Sequence, residues 1–166
     1  MGPTNLDLKR EQHASMARPR YEHSLAARFF FLAMDLVTSR KTTLAKTKLI
    51  EMLASIPYRE WETRQYGRMT QGYRNLSVVQ HARRIVTLGR EAQDNEYWHL
   101  LVIQEKMKAD GLPDPWYLVP PIPWLIVWSY RVIAGLLALV SPRRAFLLNA
   151  EFEDHAEHIY AQFVAE

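Results

Sequence analysis

Two residues one helical turn apart, Glu96 and His99, form the segment of this 166-residue chain whose chemistry is easiest to read. They stand on a stripe that steps by three and four: Val78, Ala82, Ile85, Gly89, Ala92, Glu96, His99, Ile103, Met107. A stripe of that period marks the buried face of a helix. A carboxylate and an imidazole on such a face need compensation, because burying an unpaired charge costs several kcal/mol. A metal ion would supply it, and the E-x-x-H spacing points both donors to one side of the helix. The plainer reading is a pair of part-exposed polar residues that fall on the stripe by chance, and the spacing alone favours it.

Two further acids change that balance. Glu51 lies in an otherwise small and apolar segment, Leu49 to Pro57, where Lys48 or Arg59 is the alternative partner. Glu153 shares a helix face with Phe146, Asn149, Ala156, Tyr160 and Phe163. Most of its neighbours Glu151, Asp154, His155, Glu157 and His158 are expected to meet solvent or cap charge, since one helix cannot aim adjacent residues inward. Three helices each bring one inward glutamate, and one of them adds a histidine. Carboxylate-rich di-iron bundles use one Glu from each of two helices and E-x-x-H from each of the other two. This chain supplies three of those four elements.

Composition agrees with a metal held by oxygen and nitrogen. There is no cysteine, which excludes disulfides, thiolate-bound zinc, iron–sulfur clusters and a thiol nucleophile. Hydrophobic residues make up 48% and charged residues 23%, enough apolar side chains for a real core. The net charge of +3 is gathered in basic runs beside apolar segments, Phe29–Phe31 and Trp116–Trp128. That pairing suits a membrane interface better than a nucleic-acid groove.

The elements that must position the donors follow from periodicity and punctuation. Residues 1–23 read as a polar arm, and residues 24–166 as one helical domain. Helices are predicted over Ser24–Arg40, Thr43–Pro57, Leu76–Ala109 and Trp124–Val140, and from Ser141-Pro142 to the end. Gly111 and the prolines after it stop the third. No alternating strand pattern stands out, so the fold class is all-α. Trp124–Val140 falls short of the ~20 apolar residues a span needs, and it carries Arg131. It is expected to be half bundle wall and half lipid-facing.

At these residues the sequence resembles the alternative oxidase family, di-iron quinol oxidases. Glu51-Met52-Leu53-Ala54-Ser55-Ile56-Pro57 resembles the family's first ligand segment, and Asn95-Glu96-Tyr97-Trp98-His99-Leu100 its second. Ser141-Pro142 with Phe152-Glu153-Asp154-His155-Ala156 and Tyr160 resembles the third. The resemblance, over about Asp35 to Glu166, implies a ferritin-like four-helix bundle with an N-terminal interfacial helix. It implies two iron ions held by Glu51, Glu96, His99 and Glu153, with Asn95 supporting them and Tyr160 as the catalytic tyrosine. Asp35, Lys46 and Ala156 match positions that bind quinol; Lys46 stands where the family has arginine.

The implied reaction is oxidation of ubiquinol or another quinol, with molecular oxygen reduced to water and no proton pumping. The implied setting is one leaflet of a bacterial inner membrane, on the cytoplasmic face, with the mitochondrial inner membrane as the alternative. Pairing of two copies and contact with lipid belong to the same expectation; nucleic acid does not. The family's second E-x-x-H helix is not found before Glu166, so the last core helix is expected to be missing from this chain. Two other readings stay open: a ferritin-like hydroxylase acting on a quinone precursor, and an inactive membrane-peripheral protein.

Overall fold

The computed structural model describes residues 7–165, and these form six α-helices with no strand. They are α1 (Leu8–Ala17), α2 (Leu25–Thr38), α3 (Leu44–Gln71), α4 (Leu76–Ala109), α5 (Ile122–Val140) and α6 (Pro142–Ala165), with a single 3-10 turn at Trp116–Leu118. The all-α class is therefore as expected.

The starts and stops are chemical. Ser24 caps α2 by accepting from the Ala27 amide, and Thr43 caps α3 by accepting from Lys46. Asn75 caps α4, its side-chain oxygen meeting the amides of Ser77 and Val78. Each satisfies donors that the first turn leaves free. After α4, Gly111 turns into the left-handed region at φ +65°, and the Leu112 amide closes back on the Met107 carbonyl at 2.9 Å. Ser141 alone separates α5 from α6, and its hydroxyl accepts from the Arg144 amide at 3.4 Å.

The main departure is α3, predicted to end at Pro57. It continues to Gln71 with Pro57 buried inside it. An interior proline removes one backbone hydrogen bond and costs roughly 3 kcal/mol. Against that stand Tyr58, Trp61 and Gln65, all buried on the continuing helix. A second departure is the N-terminal arm, whose described part contains α1; residues 1–6 lie outside the described residues.

The extended α3 is the central element, packing on α4, α5 and α6, while α6 also meets α1, α2 and α5. One apolar cluster joins α2, α3 and α6 through Phe31, Met34, Ile50, Ala54, Phe152 and Ala156. A second joins α3, the 3-10 turn and α5 through Leu49, Leu53, Ile56, Tyr117 and Tyr130. At Gly89 α4 comes close to the backbone of α3: a Cβ there would sit 3.3 Å from the Tyr58 carbonyl oxygen. Glycine is what permits this approach, and Glu96 follows it on the same face.

The arm is held to α6 by polar groups that the sequence had placed in solvent. Glu151, Asp154 and His158 are buried. Asp154 accepts from Arg18 at 2.7 Å and from the Tyr21 amide at 3.4 Å. Glu151 accepts from the Ser24 hydroxyl at 2.7 Å and from the Ser24 amide. The two ring nitrogens of His158 face the carbonyl oxygens of Asp154 and Arg18, at 2.8 and 3.0 Å. The expectation that these acids meet solvent fails because α6 has two buried faces, one towards α3 and one beneath the arm. Glu157 alone is exposed as expected.

Candidate metal centre

Glu51 on α3 and Glu96 on α4 face each other across the α3–α4 interface, both almost fully buried. His99, one turn after Glu96, brings its Nδ1 to 3.3 Å from Glu51 Oε2 and 3.6 Å from Glu96 Oε2. One donor atom from each of Glu51, Glu96 and His99 lies within 4.8 Å of the others, a grouping that could hold a metal ion. The imidazole is about half exposed, at 49% of its side chain, so the cluster is open on that side.

Glu153 enters from α6. Its Oε1 accepts from the Tyr58 hydroxyl at 2.9 Å, and that hydroxyl accepts from Asn149 Nδ2 at 3.1 Å. Tyr160, also on α6, donates to Glu51 Oε1 at 2.6 Å. Each of the three glutamates thus comes from a different helix, and two are fixed by a tyrosine hydroxyl.

No Lys or Arg pairs with Glu51, Glu96 or Glu153 among the described residues. The alternative partner Lys48 turns away to Asp114 at 2.6 Å, and Arg59 is exposed. The electrostatics follow from this deficit. Burial pushes the Glu96 carboxyl up to about 7; His99 opposes the rise, and the charges of Glu51 and Glu153 add to it. Burial also raises Glu153, against the Tyr58 hydrogen bond. Burial acts the same way on Glu51, but His99, Glu96 and Tyr160 together hold it below its ordinary value. His99 is pushed up to about 10, chiefly by Glu51 and then by Glu96. Without a cation the site is a proton-sharing cluster in which the imidazolium partly replaces one.

The remaining predicted residues fall in two places. Asn95 is exposed on α4, and no hydrogen bond ties it to the cluster, so its expected supporting role has no contact behind it. Asp35 and Lys46 do come together: Lys46 Nζ, buried, donates to Asp35 Oδ1 at 2.6 Å and to the Ser39 carbonyl at 2.9 Å. Ala156 packs in the apolar cluster beside Phe31 and Met34 of α2. The sequence reading missed Tyr58. It stands seven residues after Glu51, on the same helix face, and the expected stop at Pro57 hid that signal.

A groove of about 710 Å³ runs between α2 and α5, lined almost wholly by apolar side chains including Phe29, Phe30, Leu125, Tyr130 and Ile133. It reaches Leu53, two residues beyond Glu51. Around it Leu25, Phe29 and Leu36 of α2 and Trp124, Trp128 and Leu139 of α5 are exposed. By length and composition α5 is long and apolar enough to cross a membrane, and little of it is buried in the protein.

Compared with protein-family models, curated proteins and solved structures, the chain finds no match in any of the three.

Proposed function

We propose that this chain binds iron at Glu51, Glu96, His99 and Glu153 and uses it to oxidise a membrane quinol with oxygen. The observation that carries the reading is the deficit of positive charge: Glu51 and Glu96 meet the His99 imidazole, Glu153 adds its charge from a third helix, and no Lys or Arg pairs with any of the three among the described residues. A structural ion-pair network would neutralise itself; this one sets more carboxylates than its one imidazole can balance, which supports a bound cation. Carboxylate oxygen and imidazole nitrogen suit iron or manganese.

The residues fit the implied group in a graded way. Glu51, Glu96 and His99 would hold one ion, and Glu153 would be the donor available to a second. Iron bound there would supply one-electron chemistry to which quinol and dioxygen can couple. The chain's own part is to orient and to move protons. Tyr160 fixes the Glu51 carboxylate through Oε1, and Tyr58 fixes Glu153 in the same way. Glu96 and His99 are the groups from which a cation would displace protons. The apolar groove between α2 and α5 supports a long-tailed hydrophobic substrate, and the exposed aromatics around it support binding at one lipid leaflet. The ferritin-like bundle belongs to the same proposal.

The test is quinol-dependent oxygen uptake by membranes that carry the protein, in the presence of cyanide. Uptake that disappears in Glu96→Ala supports the reading. Uptake no greater than in that variant contradicts it, and an oxygenated product in place of oxidised quinol would favour the hydroxylase reading.

A further inference from the structure

A second pocket lies away from the carboxylates, where α3, α4, α5 and α6 meet. It encloses about 230 Å³, and no Asp or Glu lines it. Arg64 and Arg68, one turn apart on α3, and His81 on α4 face it, with Trp61 and Phe146 forming an aromatic wall. The two rings lie 4.0 Å apart between centroids, in direct contact. The N-terminal turn of α6 reaches the pocket at Pro142, adding the positive end of a 24-residue helix.

Neither arginine has an acidic partner among the described residues. Arg68 Nη1 donates to a neutral partner, Gln65 Oε1, at 2.9 Å. Arg64 Nη1 is buried and has no hydrogen-bond partner. The acids nearest in sequence are engaged elsewhere, Glu60 with Arg131 at 2.7 Å and Glu62 with Arg90 at 2.8 Å. A buried guanidinium nitrogen without an acceptor is costly and calls for an external one. Planar guanidinium groups match the oxygens of phosphate in pairs.

We propose that this pocket binds a phosphate group, held by Arg64 and Arg68 with His81 closing the open side. The volume fits a headgroup-sized anion and is below what a larger cofactor fills. Two sources share that chemistry. One is a free phosphate or small phosphate monoester. The other is a lipid headgroup, because Ala138 lines the pocket and the next residues, Leu139 and Val140, are the exposed apolar end of α5. The inference stands on its own residues and does not depend on iron or quinol.

The experiment uses the full chain. Inorganic phosphate is titrated calorimetrically at constant ionic strength, and binding to phosphatidylcholine vesicles is compared with and without phosphatidic acid. Saturable phosphate binding that weakens at least about tenfold in Arg64→Gln and Arg68→Gln, but not in the remote Arg10→Gln on α1, supports a free anion; losing a charge-assisted pair has that size. A phosphatidic-acid-dependent gain in vesicle binding, lost in the same variants, supports the headgroup. Arg64→Lys keeps the charge without the fork and should lie between; with Arg68→Gln it carries the test if Arg64→Gln does not fold. If wild type and the pocket variants respond alike to both probes, the proposal is overturned.

Discussion

Replacing Glu96 by glutamine should stabilise the metal-free chain while removing its capacity to hold a cation. The carboxyl is 6% exposed and its ionisation is pushed from 4.5 up to about 7. A carboxyl whose folded value is raised binds its proton more tightly in the folded state. Stability from this group is therefore present below pH 4.5 and is lost as pH rises towards 7 and beyond. The full difference corresponds to about 3 kcal/mol. Glutamine keeps the shape and carries no charge, but it weakens the contact with His99, so a net gain of about 1–2 kcal/mol is expected at pH 8. Urea unfolding in chelator, at pH 5 and pH 8, measures it. Glu96→Gln should fall about 1 kcal/mol below wild type at pH 5, where the carboxyl is still protonated in the fold and the lost contact dominates, and exceed it at pH 8. A variant no more stable than wild type at pH 8, with the same difference at both pH values, would refute the claim that these carboxylates lack compensation.

Three further outcomes follow from other contacts. Tyr58→Phe takes the hydrogen bond from Glu153 and the acceptor from Asn149, so urea unfolding should show a loss of about 1–3 kcal/mol. Asp154→Asn removes the buried partner of Arg18 and loosens the arm, so limited proteolysis should cut within residues 7–23 several-fold faster while the rest stays resistant. Burial lowers His155 to about 4, with the charges of Arg20 and Lys46 adding to the effect. Its contribution is present above the unfolded value of 6.5 and is lost as pH falls towards 4, by up to about 3 kcal/mol. His155→Phe, which can keep the stack on Phe31, should flatten that part of the stability–pH curve.

Much of the arrangement could be read from local chemistry. The period of the Val78–Met107 stripe places Glu96 on the buried face, and the helix containing it has the bounds expected for it. Ser24, Gly111 and Ser141-Pro142 mark helix ends because capping is a short-range matter of a few atoms. What escaped reading depends on long-range partners. Pro57 is tolerated because Tyr58 and Trp61 find a packed surface, and nothing within a few residues of Pro57 announces it. Glu151, Asp154 and His158 are polar residues whose burial depends on Arg18 and Ser24, more than a hundred residues earlier. Their pattern along α6 looks solvated until the arm is laid over it. Glu51 could be read as either paired or unpaired, and the turn of Lys48 towards Asp114 is a tertiary fact.

Ferrous iron bound per chain, after anaerobic reconstitution and removal of loose metal, tests the central claim most directly. Iron retained by the wild type and lost in both Glu51→Ala and Glu96→Ala is the predicted result, with Glu153→Ala reducing the amount held. No retained iron in a folded wild-type chain, or the same iron in all four proteins, would contradict it.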